Sequence, residues 1–386
     1  MEITSKRESE FIRELDKLSF FLSQKLYDGK FYSFEDTLIV PRFLHKTISR
    51  KEINTKVDFF GTELNLPIIS SPMSFFGEKF AEELLKDKVL YSLPRINSSI
   101  EERLALAKNL NNPEYVVFSI GAKESEKITK HINSIKRYSK YILIDIAHGA
   151  SLYTVNTLRL LQSLGIKENV IVGSIASVEG FLYLLFYLNE LEFSNAIIRV
   201  GIGSGSACST RIKTGVGFPQ LSILRILNEL KKSFDEGWID KNKFPTLHSV
   251  FSNLSIPLEN IKIISDGGIK EEGDLAKALI YSDLVMLGRK LISKEMNTYN
   301  PTTNSVEYFG MASAYVGKKE HIEGGRYIVH NPPNLKAVLQ NIKDSLTSSL
   351  SYVNAENLEE FRRLSVLIQT TPNVVKENKV ENNFSF

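Results

Sequence analysis

The sequence has a single cysteine, Cys208, in 386 residues. No internal disulfide can brace it, and the lone thiol is left free for chemistry, a pattern of reducing compartments. No apolar run reaches the roughly 18 residues that span a bilayer, and the opening MEITSKRESEFIRELDK has no apolar signal-peptide core. A cytoplasmic globular protein with no membrane partner is therefore expected. Charge excess is missing too: 48 basic residues against 45 acidic ones give no footprint for nucleic acid, yet leave room for a small anionic ligand. The six histidines are scattered and none stands at ligand spacing from Cys208, which argues against a transition-metal site. Internal repeats and low-complexity linkers are also lacking. With 42% hydrophobic and 24% charged residues, the chain can bury a sizeable core in one large α/β domain or two smaller ones.

What is present is a rhythm. Eight short segments rich in Val, Ile and Tyr recur: PIISSP from Pro67, KVLYSLP from Lys88, YVVFSIG from Tyr115, YILIDIA from Tyr141, NVIVGSI from Asn169, NAIIRVG from Asn195, IKIISDGG from Ile261 and DLVMLG from Asp283. Most precede a longer stretch with helical spacing of apolar residues. Their starts lie 21 to 28 residues apart, except for a 66-residue gap before Ile261, the spacing of parallel strands with crossover helices. A (β/α)8 barrel is expected, with a doubly wound open sheet as the competing architecture. Polar residues and glycines gather at the strand ends, where such barrels place their active sites: Asp145, the loop from Gly201, Asp266-Gly267-Gly268 and Gly288-Arg289. Residues 1–30 are expected to be a helical extension, with an amphipathic helix over 4–26 carrying Phe11, Leu15, Leu18 and Leu22 on one face. Residues 31–355 make the barrel. Residues 356–386 make a terminal helix, read from AENLEEFRRLSVLIQ, and a mobile tail, PNVVKENKVENNFSF.

The stretch GIGSGSACSTRIKTGVGFPQ, Gly201 to Gln220, packs its glycines around Cys208. Gly201, Gly203 and Gly205 are spaced G-x-G-x-G, a poor match to the dinucleotide fingerprint, and no Gly-Lys-Ser/Thr follows as in a phosphate-binding P-loop. A third possibility is a loop that wraps closely around a ligand or ion and aims the thiol at a substrate. Flanking serines and glycines make an inert apolar burial of the cysteine a poor alternative.

These residues resemble the IMP dehydrogenase and GMP reductase family. The loop around Cys208 is similar to its catalytic loop, YSFEDTLIVPR from Tyr32 to its N-terminal signature and PIISSPM to its first strand end. LIDIAHGAS resembles its cofactor-side loop, ISDGGI its ribose and phosphate motif, and YFGMAS from Tyr308 its base-binding motif. The resemblance implies that Cys208 attacks C2 of a purine nucleotide, with Thr210 and Glu323 around the departing amine. It implies that Ser206, Gly268 and Gly288 hold the 5′-phosphate and that Asp266 accepts the ribose hydroxyls; Arg289, where the family has a small residue, would either pair with the phosphate or fill the site and block it. Met73, Tyr308, Gly310 and Met311 would frame the base, and Asp145, Ala147 and Ser151 would face NADPH. It further implies a homotetramer, and K+ on the carbonyls of Gly203, Gly205 and Cys208.

Within the family, two absences favour the reductase. No regulatory insertion follows the second strand, where Arg95 runs directly into INSSIEERLALAKNL, and the Tyr315–Glu323 link, YVGKKEHIE, lacks the arginine of a dehydrogenase's water-activating flap. TRIKTGVGFPQ, with Thr214 and Gly215, also looks closer to the reductase loop. Reductive deamination of GMP to IMP and ammonia is therefore expected, the alternatives being an IMP dehydrogenase with a reduced flap or a non-catalytic nucleotide-binding homologue. Departures from the family's pattern, at Ser74-Phe75-Phe76, Ser174, Arg289 and the short link after Met311, are expected to fall in the substrate and cofactor shells.

Overall fold

The computed structural model describes residues 6–25, 29–46, 49–234, 239–310 and 325–371, without the side chains of 20–25. All eight expected segments are strands: β1 (Ile68–Ser70), β2 (Tyr91–Ser92), β3 (Val116–Ile120), β4 (Tyr141–Ile144), β5 (Val170–Ile175), β6 (Ala196–Val200), β7 (Ile261–Asp266) and β8 (Leu284–Leu287). Their β-branched residues are buried on both faces, as parallel strands covered by helices require. The strands run parallel in sequence order from β2 to β8, and β8 pairs with β1. The ring closes where Ile69 bridges Leu90 and the Ser70 N–H donates to the Leu90 carbonyl at 2.9 Å. That closure decides for a (β/α)8 barrel over the open sheet.

Crossover helices cover the outside, and their starts follow from sequence. Ser99 opens helix Ile100–Leu110 with a capping box: its hydroxyl accepts the Glu102 N–H at 3.1 Å, and Glu102 accepts the Ser99 N–H at 2.7 Å. The long gap before β7 holds helix Pro245–Ser252, which packs against the N-terminal helix Lys6–Lys25. Phe11, Leu15 and Leu18 are buried as the amphipathic pattern predicts, and Phe11 stacks on Phe186 at 3.8 Å; the Leu22 side chain lies outside the described residues. Glu14 accepts the Thr246 and Leu247 N–H groups at 2.9 and 3.0 Å, capping the inserted helix.

The two ends of the barrel are closed differently. A hairpin, Val57–Phe59 with Thr62–Leu64, covers the end where the strands begin: the Tyr141 hydroxyl donates to the Phe59 carbonyl at 2.5 Å and lies 2.9 Å from Thr62 Oγ1. At the other end stands an antiparallel sheet of Tyr299–Asn300, Ser305–Phe309 and Arg326–His330. The C-terminal expectation needs correction. The helix spans only Leu358–Leu364, and Leu367–Gln369 is a strand paired with Thr37–Ile39, because backbone partners more than 300 residues away outweigh a local helical pattern. The tail from Pro372 lies outside the described residues. No helix among the described residues is long and apolar enough to cross a membrane.

Candidate active site

A cavity of about 1410 Å³ opens at the C-terminal ends of the strands. The Gly201 loop forms one wall. Gly201 itself has φ +148°, and a Cβ there would stand 2.0 Å from the Asp266 carbonyl oxygen, so only glycine lets the end of β6 lie against the end of β7. Ser204 ties the contact by donating to that carbonyl at 2.7 Å. Arg211 reaches back to the carbonyls of Ile202 and Phe218, and Gln220 donates to the Val200 carbonyl at 2.7 Å. The loop is thus anchored at both ends.

Cys208 is half-buried on this wall, its N–H donating to the Gly205 carbonyl at 2.9 Å and its Sγ 3.1 Å from Thr210 Oγ1. The mouth sheet is fastened beside it. Gly325 donates to the Ala207 carbonyl at 2.8 Å, and Gly310 donates to the Gly325 carbonyl at 3.0 Å. A second corner is aromatic and cationic. The Tyr308 and Tyr327 rings stack at 5.1 Å, Ser206 Oγ lies 3.3 Å from the Tyr327 hydroxyl, and the Arg289 guanidinium stands over the Tyr327 ring at 5.7 Å. A Cβ on Gly288 would come within 2.5 Å of the Tyr308 hydroxyl. Burial pushes both tyrosines above the usual phenol range, while Arg289 pulls them down. The neighbouring Lys290 is paired with Glu272 at 2.8 Å.

Between these corners runs a chain of charges. Arg95, Asp145, Arg199 and Asp266 alternate across the cavity floor, with ion-pair distances of 3.1, 3.1 and 3.5 Å. Burial raises the Asp266 carboxyl above its ordinary value, against the pull of Arg199. Acceptor, thiol, hydroxyl and guanidinium groups therefore converge on one concave space, the arrangement of a polar-ligand site.

Residues 31–381 match the IMP dehydrogenase / GMP reductase domain. The chain belongs to this family. It is similar to the GMP reductase of Staphylococcus epidermidis, at 29% identity over 353 residues that span 88% of this chain and 96% of that protein. It is likewise similar to the GMP reductase of Staphylococcus aureus, at 27% identity over the same length. The N-terminal helix precedes the region shared with the IMP dehydrogenase / GMP reductase family.

The sequence-derived residues mostly meet here. Met73, Asp145, Ala147, Gly203, Gly205, Ser206, Cys208, Thr210, Asp266, Gly268, Gly288, Arg289, Tyr308 and Gly310 all line the cavity. Ser151 does not; it stands at the N-cap of helix Leu152–Ser163, its N–H turned to the Gly149 carbonyl at 2.8 Å. Met311 and Glu323 lie outside the described residues. One expectation about the family departures is corrected. Phe75 and Phe76 are buried away from the cavity, Phe75 against Tyr308 and Phe309 at 5.1 Å each and Phe76 stacked on Phe80 at 4.1 Å. They fill the space beneath the mouth sheet, where large apolar rings are favoured. Ser174 and Arg289 do line the cavity, and Ser174 donates to the Gly201 carbonyl at 2.8 Å. Arg95 and His148 stand at strand ends, where the sequence places polar residues, and both line the cavity, whereas Arg199 and Tyr327 were given no role. For Arg199 a signal existed, a lone cation inside the apolar run AIIRV.

Proposed function

We propose that the protein is a cytoplasmic, homotetrameric GMP reductase that converts GMP to IMP and ammonia with NADPH as reductant. One observation carries this: the only thiol of the chain stands on the cavity wall within 3.1 Å of a hydroxyl, in the same space as a buried carboxylate and a guanidinium. In the proposed sequence the Cys208 sulfur bonds to C2 of the purine and the C2 amine leaves with a proton as ammonia. Thr210 holds the departing nitrogen, and Glu323, two residues before the Gly325 that bonds Ala207, moves the proton. Asp266 orients the sugar, since a carboxylate offers only acceptors to a diol. Ser206, the Gly268 and Gly288 backbone and Arg289 hold the 5′-phosphate. Tyr308, Gly310, Met311 and Met73 frame the base.

The volume suits two ligands side by side, because single ligand pockets run to about 1,000 Å³ and this one holds about 1410 Å³. Asp145, Ala147 and His148 would hold the nicotinamide end of the cofactor. When bound, the cofactor supplies the hydride that reduces C2 and releases Cys208. The carbonyls of Gly203, Gly205 and Cys208 would hold K+, whose part is to stiffen the loop; activation by KCl over LiCl measures it.

The deciding experiment is NADPH consumption and ammonia release with GMP, run beside Cys208→Ala. Stoichiometric ammonia, lost in the alanine variant, is the expected result. NAD reduction with IMP and none of NADPH with GMP would instead mark a dehydrogenase, and nucleotide binding without turnover a binding homologue.

A further inference from the structure

Arg199 is the only charged residue of β6, and just 6% of its side chain is exposed. A cation that deep persists only with partners. They come from two other strand ends. Nη2 donates to Asp145 Oδ1 at 3.1 Å, beyond the end of β4, and to the Ile146 carbonyl at 3.4 Å. Nε lies 3.5 Å from Asp266 Oδ2 at the end of β7, close enough for charge attraction but without a hydrogen bond. Nη1 rests 3.8 Å from the Met286 sulfur. The sharing is unequal. Asp145 has a second cation, with Arg95 Nε 3.1 Å from Oδ2, whereas Asp266 draws on Arg199 alone among the described residues. The other groups facing Asp266 are Asp145 itself, the Ser174 hydroxyl from β5 and, further off, the Tyr308 hydroxyl of the mouth sheet.

We propose that Arg199 is a positioning residue that holds the Asp266 carboxylate ionised and ready to accept the sugar hydroxyls, and that Asp145 sets how much of its charge Asp266 receives. This rests on the placement of a nucleotide sugar at Asp266. Protonation would cost Asp266 acceptor capacity, since a carboxylic acid spends one oxygen as a donor. Burial drives Asp266 toward that state, Arg199 opposes it, and the Asp145 charge promotes it. Nucleotide affinity therefore falls as the pH drops through the Asp266 titration, and the two neighbours move that fall in opposite directions.

The test is calorimetric binding of GMP to the full chain without cofactor, from mildly acidic to neutral pH. Loss of a close charge partner moves a carboxylate by about one to three pH units, so Arg199→Met shifts the acid limb upward by that order. Asp145→Asn shifts it downward, because the repulsion is gone and Arg199 turns wholly to Asp266. Arg199→Lys, which keeps the charge, stays near the wild-type limb. In turnover, Arg199→Met raises the KM for GMP far more than it lowers kcat. A limb unmoved in Arg199→Met, or moved the same way in both charge-removing variants, overturns the proposal. If Arg199→Met fails to fold, Asp145→Asn decides alone, and an unmoved or raised limb there overturns it. Wild-type protein that binds no GMP at any pH sinks the nucleotide site itself, a failure distinct from GMP binding that is indifferent to Arg199.

Discussion

The two ends of this barrel are built from the same eight strands and use their polar groups in opposite ways. Where the strands begin, the hydroxyls are spent within the fold: Tyr141 on Phe59, Ser139 on the carbonyls of Val116 and Tyr141. Where they end, Arg199 Nε and Gln220 Oε1 are buried without hydrogen-bond partners, Asp266 is raised, and Cys208 is open to a cavity. Groups left unspent at one end and spent at the other separate what serves stability from what awaits a ligand.

The largest expected break in that contrast is Cys208→Ala. Turnover falls by about 10⁴-fold or more, the scale of losing a covalent nucleophile, while the thermal midpoint stays near wild type; an active alanine variant would sink covalent catalysis. Gly201→Ala harms both properties. A methyl placed 2.0 Å from the Asp266 carbonyl at positive φ costs about 1 to 3 kcal/mol, measured by denaturant midpoint, and GMP binding by the folded fraction weakens as Asp266 is displaced. Arg289→Ser sharpens the contrast within the mouth. Losing a charge-assisted bond to phosphate raises the KM for GMP about 10- to 100-fold and leaves guanosine binding unchanged; equal effects on nucleotide and nucleoside would place Arg289 elsewhere. Tyr141→Phe, at the opposite end, is the smallest. It costs about 1 kcal/mol of stability with kcat/KM intact, and a fall in kcat/KM would erase the division between the ends.

The strands were legible because apolar runs of the right length recur at the spacing of βα units, a signal that tertiary contacts reinforce. The loop from Gly201 was legible because its glycines answer to one close approach, against Asp266. Other features escaped for a common reason: their partners are distant in sequence. Leu367–Gln369 pairs with Thr37–Ile39, and nothing local in LSVLIQ announces it. Arg199 was visible as an anomaly in AIIRV, yet Asp145 and Asp266 lie 54 and 67 positions away on either side. The doublet Phe75-Phe76 looked like an altered substrate wall because it follows Met73, which does face the cavity. Two further residues turn the chain into the core, and the Phe75 carbonyl accepts the Asn297 N–H at 2.9 Å.

The contact between Glu14 and the start of helix Pro245–Ser252 also has a consequence in time. The two are separated by 232 residues, which a ribosome takes roughly 10 to 50 s to traverse at about 5 to 20 residues per second. For that interval the face carrying Phe11, Leu15 and Leu18 has been made while the helix that Glu14 caps has not. The helix that carries Glu14 can dock on Phe186 earlier, but it waits for this second partner while the residues between them are made, and its amphipathic face, still short of part of its cover, is a natural handle for chaperones.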